Sequence, residues 1–297
     1  MKVSEVLIDG DEIVYKIGFT GQVSQFSIIG PGGPTGCQTK MKDHAYEDIG
    51  IDEDGIYDLS KEWIQLPWEI VKRRIDYFIR YTQDLVRCNT YRVFLSGSDN
   101  FRKKVATLLP YKGNRSPDGR PLYFQEIRNY LFEEYFAESQ EHLEADDQLG
   151  IAHMEKRDRK SNSVLCTQDK DLKMIPGVYF NPWKPNNGMH TITLEEANRN
   201  FFLQLLQGDS TDNIPGIVGI GPVMARKLIP EGLSTSEMSS IVYEAYRQVI
   251  EDPGKNRRLS FQYDTGAHKD LNSVINEIAG LLWIWRDNSG VHLYEYQ

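Results

Sequence analysis

Eight carboxylates draw attention by where they fall in the chain. Asp9 ends the apolar run Val6-Leu7-Ile8. Glu144, Asp146 and Asp147 open a helical stretch, and Asp169 and Asp171 follow Val164-Leu165-Cys166-Thr167. Asp209 and Asp212 follow a helical stretch ending near Gln207. In an open α/β sheet the carboxyl ends of the strands line the crevice where ligands bind. Carboxylates gathered there repel one another, and their pKa values rise unless cations join them. Hard divalent ions with oxygen ligands meet that need, and Mg²⁺ keeps several waters for chemistry. Two such ions ~4 Å apart can activate water and stabilise the leaving oxygen of a phosphodiester. Any one of these acids alone reads as a helix cap or dipole partner. Their grouping at four separate strand–helix junctions favours a metal site.

Two further segments carry chemistry. Gly216-Ile217-Val218-Gly219-Ile220-Gly221-Pro222 precedes an apolar helical start, Met224 to Leu228. Glycines let a backbone approach a phosphate closely, so this run suits a helix–turn–helix hairpin that grips duplex backbone. It lacks the Gly-Lys-Ser/Thr ending of a Walker loop. The stretch 101–115, FRKKVATLLPYKGNR, sets Arg102, Lys112 and Arg115 among Phe101 and Tyr111. Cations between aromatics suit a phosphate chain whose bases stack on rings. Lys103 and Lys104 read as a solvated helix face.

Positioning these residues requires alternating strands and helices. Strands are expected at 6–8, 91–95, 164–167 and 178–180, with a late one at 290–294. Helices are expected after Asp9 through Phe19 and at 69–88, 126–138, 146–156, 194–206, 236–251 and 270–284. Residues 20–62, with Gly30-Pro31-Gly32-Gly33-Pro34, read as a long excursion, partly loop. The alternation indicates an α/β fold with a largely parallel sheet.

The chain has 297 residues, 40% of them apolar, enough for a sizeable core. No apolar run approaches the ~20 residues of a membrane span, and no signal peptide is expected. Cys37, Cys88 and Cys166 suit a reducing compartment and read as small buried apolar residues. The net charge of −9 argues against a nucleic-acid binder, but the distribution answers it. Residues 102–128 are locally basic, residues 40–62 are strongly acidic, and the eight carboxylates account for most of the acid excess.

Taken together, LIDGD (7–11), FRKKVATLLPYKGNR (101–115), EADD (144–147), TQDKD (167–171) and GDSTDNIPGIVGIGP (208–222) resemble the 5′–3′ exonuclease/flap endonuclease family, and most closely its free-standing bacteriophage members. The resemblance implies a PIN-like three-layer α/β/α core over 1–207. It also implies a helical arch at about 100–130, and a helix–three-turn–helix element with a helical region over 208–297. It implies two Mg²⁺ ions, with Mn²⁺ able to substitute. Asp9, Glu144, Asp146 and Asp147 would serve the tighter ion, and Asp169, Asp171, Asp209 and Asp212 the second. Lys112 would steer the scissile phosphate, Arg102 would contact phosphate, and Tyr111 would stack on a base. Phe101, Arg115, Gly219 and Gly221 would meet DNA, with K⁺ bridging the turn. The family's usual aspartate after the second strand is missing. Ser96 falls nearest that position; either Asp99, three residues later, supplies the carboxylate, or that carboxylate is absent and Asp99 caps the helix beginning near Asn100.

The function so implied is metal-dependent hydrolysis of DNA at or near 5′ ends, nicks or flaps, leaving 5′-phosphates. Its setting would be phage replication, primer removal or recombination, carried out by a monomer in the cytoplasm. The rivals are a ribonuclease on the same scaffold, acting on RNA–DNA hybrid, and a non-catalytic structure-specific DNA-binding protein.

Overall fold

The computed structural model describes residues 3–30, 33–39, 58–115, 119–158, 162–250 and 270–288. The elements in chain order are β1 (Glu5–Asp9), α1 (Gly10–Thr20), β2 (Gln22–Gly30), β3 (Gly33–Thr39), β4 (Asp58–Gln65), α2 (Trp68–Val86), β5 (Tyr91–Phe94), α3 (Arg102–Val105) and α4 (Phe124–Tyr135). They continue with α5 (Ala145–Asp158), β6 (Ser163–Cys166), β7 (Gly177–Phe180), β8 (Met189–Ile192), α6 (Leu194–Gln207), α7 (Pro222–Leu228), α8 (Thr235–Ile250) and α9 (Leu271–Leu282).

The chain divides into two compact units. One holds Met1–Asp11, Tyr81–Gly119 and Leu131–Gln297. Its sheet has the order β5-β1-β6-β7-β8, parallel except for β8, which runs antiparallel to β7. Central parallel strands are covered on both faces and so read as continuous apolar runs; β1 and β6 are buried along their whole length. The register pairs Asp9 with Phe94 and Ile8 with Cys166, so β1, β5 and β6 end together. The mostly parallel sheet is flanked by helices. α5 packs along β1, β6 and β5, and α6 packs against α7, α8 and α9. A capping box starts α6: Glu196 N–H donates to Thr193 Oγ1 at 3.1 Å and Thr193 N–H to Glu196 Oε2 at 2.7 Å. Asp270 caps α9 through Ser273 N–H at 2.8 Å. One apolar cluster runs from Leu7 and Leu165 through Phe201 and Phe202 to Tyr246 and Ile278. The helices after 208 therefore share a core with the sheet, and the units do not part at 207/208.

The other unit is Glu12–Arg80 with Arg120–Tyr130. It contains an antiparallel sheet of order β3-β2-β4. This corrects the expected excursion. The Gly-Pro cluster marks a hairpin in which Gly30 pairs with Gly33, because turn chemistry rather than a loop follows from those residues. The acidic residues of 40–57 and the strand expected at 290–294 lie outside the described residues. β8 was not anticipated, since its face is largely exposed and carries little apolar pattern. Of the arch expected at about 100–130, the described residues hold the four-residue α3 and the first part of α4.

Candidate active site

The first group of acids lies where β1 and β6 end. Asp9, 5% exposed, is the last residue of β1. Thr167 follows β6, and its hydroxyl donates to Asp9 Oδ2 at 3.4 Å while accepting from Asp169 N–H at 2.9 Å. Asp169 Oδ1 in turn accepts from Asp171 N–H at 2.8 Å, which opens a 3₁₀ turn. Asp146 sits in the first turn of α5. From α6, Gln204 donates through Nε2 to Asp171.

The electrostatics of this group are unbalanced. Burial, then the fields of Asp169, Asp9 and Glu144, push the Asp146 carboxyl well above the ordinary range. Burial and the charges of Asp212 and Asp209 raise Asp169 despite the Asp171 N–H. Burial, Asp169 and Asp209 carry Asp171 up to about 7. At Asp209 burial is outweighed by Thr211 N–H and by Lys170, whose ammonium lies 3.5 Å away, and its pKa falls.

The second group is already neutralised by the chain. Lys112 Nζ binds Glu144 and stands 3.5 Å from Asp212. The Tyr111 hydroxyl lies 2.8 Å from Glu144 and 2.7 Å from Asp212, and Arg115 pairs with Asp212 at 2.5 Å. Burial raises the pKa of Glu144, but Lys112 and Arg102 outweigh it and hold the carboxyl low. Lys112 adopts φ +56°, and its N–H donates to the Asp212 carbonyl at 2.8 Å. Asn114 and Asn213 tie the same strip to the 208–214 turn, through Ser210 O at 2.7 Å and Pro110 O at 2.9 Å.

Five expectations need correction. Asp147 is fully buried and takes four hydrogen bonds, two from Arg102 at 2.6 and 2.8 Å and one each from Glu144 N–H at 3.2 Å and Trp285 N–H at 3.1 Å. That saturation leaves no lone pair for a metal. Arg102 is 1% exposed, and its five donors go to Asp147, Glu144 and the carbonyls of Leu281 and Trp283, so it reaches no phosphate. Tyr111 is buried in the apolar cluster and offers no open ring face to a base. Phe101 is half-buried, with its ring 5.2 Å from that of Trp285 and the Arg102 guanidinium 4.6 Å over it, so the ring is engaged within the chain. Asp99 is half-exposed, paired with Lys104 at 2.8 Å and His142 at 3.2 Å, and Lys104 lowers its pKa. The carboxylate beside Ser96 is Asp11, whose Oδ2 accepts from Ser96 Oγ at 2.5 Å while that hydroxyl accepts from Ala145 N–H at 3.0 Å. Asp11 was overlooked although it stands two residues after Asp9 in the sequence. Gln204 left no signal, since it sits among the apolar residues of α6.

The 208–222 segment separates into two uses of glycine. A Cβ on Gly208 would meet Gly216 N at 2.5 Å, and one on Gly216 would meet the Gln207 carbonyl carbon at 2.2 Å, so these two close the base of the turn. Gly219 takes φ +93°, whereas a Cβ on Gly221 would meet nothing within 4 Å. Asp209 and Ile214 exchange two backbone hydrogen bonds across the turn at 2.9 and 2.8 Å.

As placed, no three acidic, histidine or cysteine side chains among the described residues converge on a point that would hold an ion. The donor set nonetheless suits a hard cation. It is all oxygen, three of its carboxyls are pushed up by burial and by neighbouring carboxylates, and Gln204 Oε1, in the same cleft, is buried without a hydrogen-bond partner.

No family model matches the chain. It is 34% identical over 127 residues to the exonuclease of Escherichia phage T7, a match covering 42% of this chain and 42% of that protein. It is 34% identical over 127 residues to the exodeoxyribonuclease of Enterobacteria phage T3, covering 42% of this chain and 41% of that one. The flap endonuclease Xni of Shewanella sp. (strain MR-4) is 30% identical over 132 residues, with 40% and 49% covered. The matches thus span less than half the length of these relatives. Among solved structures, T5 5′-exonuclease with bound zinc aligns at a TM-score of 0.45 and 15% identity, covering 94% of this chain and 86% of that one, a likeness too distant to transfer function. Among the described residues, no helix is long and apolar enough to cross a membrane.

Proposed function

We propose that this chain, related in sequence to the 5′–3′ exonuclease/flap endonuclease family over 42% of its length, is a divalent-metal-dependent 5′-nuclease acting on DNA in the host cytoplasm. The observation that carries the reading is the set Asp9 at the end of β1, Asp169 and Asp171 after β6 and Asp146 in the first turn of α5, where burial and neighbouring carboxylates push Asp146, Asp169 and Asp171 up. A protein that only bound DNA would gain nothing from such repulsion beside a polyanion. Asp9, Asp146, Asp169 and Asp171, with Glu144, Asp209 and Asp212 at the rim, would hold Mg²⁺ or Mn²⁺. Bound there, the ions supply an activated water and charge stabilisation for in-line hydrolysis. Lys112, on the rim beside Glu144, is placed to exchange its carboxylate partner for a phosphate oxygen. Arg115 would do the same from Asp212. The Gly219–Gly221 turn would approach the duplex backbone, with K⁺ between.

The test is incubation of end-labelled duplex, nicked and 5′-flap DNA, with matched RNA 5′ ends, in Mg²⁺, Mn²⁺ or EDTA. Cleavage of DNA ends that EDTA abolishes is expected, with 5′-phosphate products. Binding without any metal-dependent cut would defeat the reading, and preferential cutting of RNA ends would replace it with the ribonuclease.

A further inference from the structure

The strip 101–115 carries Lys112 and Arg115 to the carboxylates, yet it contains only one helical turn, α3, and must be held from outside. Its second half is tied to the 208–214 turn. Its first half is tied to α9, more than 160 residues later in the sequence. Glu277 on α9 is 5% exposed, and its carboxylate accepts from Thr107 N–H at 2.6 Å, Thr107 Oγ1 at 2.5 Å and Leu108 N–H at 2.8 Å. Arg102 anchors the same strip to the end of α9, through Leu281 O at 2.8 Å and Trp283 O at 2.7 Å. A buried carboxylate is costly unless its lone pairs are filled, so Glu277 defines one position for Thr107 and Leu108. Lys112 follows four residues after Leu108, through Pro110 and the left-handed φ of Lys112 itself. Little backbone freedom remains between the anchor and Lys112, whose N–H is itself bound to the Asp212 carbonyl.

We propose that Glu277 is a positioning residue: it clamps Thr107-Leu108 to α9 and thereby sets Lys112 at the carboxylate rim. The inference rests on the nuclease reading for its kinetic arm only. Glu277→Leu removes the acceptor. Glu277→Gln keeps it, since Gln Oε1 can accept from both N–H groups and Nε2 can donate to Thr107 Oγ1. The first measurement needs no substrate: amide hydrogen exchange over 111–115 should speed up at least tenfold in Glu277→Leu and stay within threefold of wild type in Glu277→Gln. Should Glu277→Leu fail to fold, Thr107→Val removes one of the three bonds and should speed the same amides by a smaller factor. The second is kinetic. Glu277→Leu should lower kcat on DNA at least tenfold with KM within about twofold, and Glu277→Leu combined with Lys112→Ala should be no slower than Lys112→Ala alone. Unchanged exchange at 111–115, equal loss in the Gln and Leu variants, or additive losses with Lys112→Ala would each overturn the proposal. A wild-type protein that cleaves nothing would defeat the nuclease reading instead, and the exchange result would still decide the role of Glu277.

Discussion

Asp146 and Asp147 are neighbours in sequence with opposite roles, and the difference is which way each faces on the first turn of α5. Asp147 turns inward to Arg102, and the two charges satisfy each other. Asp146 turns to the cleft and meets only other carboxylates as its raising neighbours. Asp147→Asn should therefore cost stability: one buried charge loses its partner, a loss of about 3–5 kcal/mol, read as a lowered midpoint in denaturant. Asp146→Asn should abolish cleavage while the metal-free protein keeps its stability at low pH and gains as pH rises, because a carboxyl that would ionise beside other carboxylates is gone. A midpoint that fell as far in Asp146→Asn as in Asp147→Asn would contradict the assignment. The same crowding predicts a pH dependence. Asp171 titrates near 7 when folded and Asp146 is also raised, so both hold protons that the unfolded chain has already released. The folded state then binds more protons between about pH 4 and 7, and metal-free stability should fall as pH rises through that window. Each such proton contributes at most about 1.4 kcal/mol per pH unit. Glu144 and Asp209, with lowered pKa values, act oppositely, and their stability is lost as pH falls below the ordinary carboxylate range. Denaturant titrations in EDTA from pH 5 to 8 should show the decline, and saturating Mn²⁺ should flatten it.

At the scale of elements, the turn between α6 and α7 allows its two functions to be separated. Gly219→Ala forces a side chain onto φ +93° and should cost about 1 kcal/mol of stability before DNA is considered. Gly221→Ala meets nothing within 4 Å and should fold like wild type. If the backbone there approaches a phosphate, Gly221→Ala should weaken duplex binding and reduce the slope of affinity against salt. Binding isotherms in Ca²⁺ at several salt concentrations measure this, and an unchanged isotherm would leave the turn without a DNA contact.

At the scale of the molecule, the proposed nuclease is an acidic chain that would have to bind a polyanion. The ions that the cleft would hold offset part of the −9 charge where DNA would approach. Divalent ions should then raise stability by about 2.7 kcal/mol at one hundred times their Kd, and should tighten DNA binding in the same titration. A thermal melt that Mg²⁺ and Mn²⁺ leave unmoved would count against any ion in this cleft.

The alternation of strands and helices could be read along the chain because buried parallel strands are short apolar runs and surface helices repeat near 3.6 residues. So could the places of Asp9, Asp169 and Asp171 at or just after the ends of β1 and β6, since strand ends in such a sheet face one edge. The three-stranded sheet of β2, β3 and β4 could not, because its turn residues look like loop and its pairing joins residues up to 43 apart, Gln22 with Gln65. Nor could the division between Asp146 and Asp147, or the burial of Arg102 and Tyr111. Sequence fixes a residue's type and its place on an element; which neighbour satisfies a charge depends on chain that arrives from far away. Here that chain is α9 and the residues just beyond it, which bring Glu277, Leu281, Trp283 and Trp285 to the strip and make Arg102, expected at a phosphate, a buried anchor.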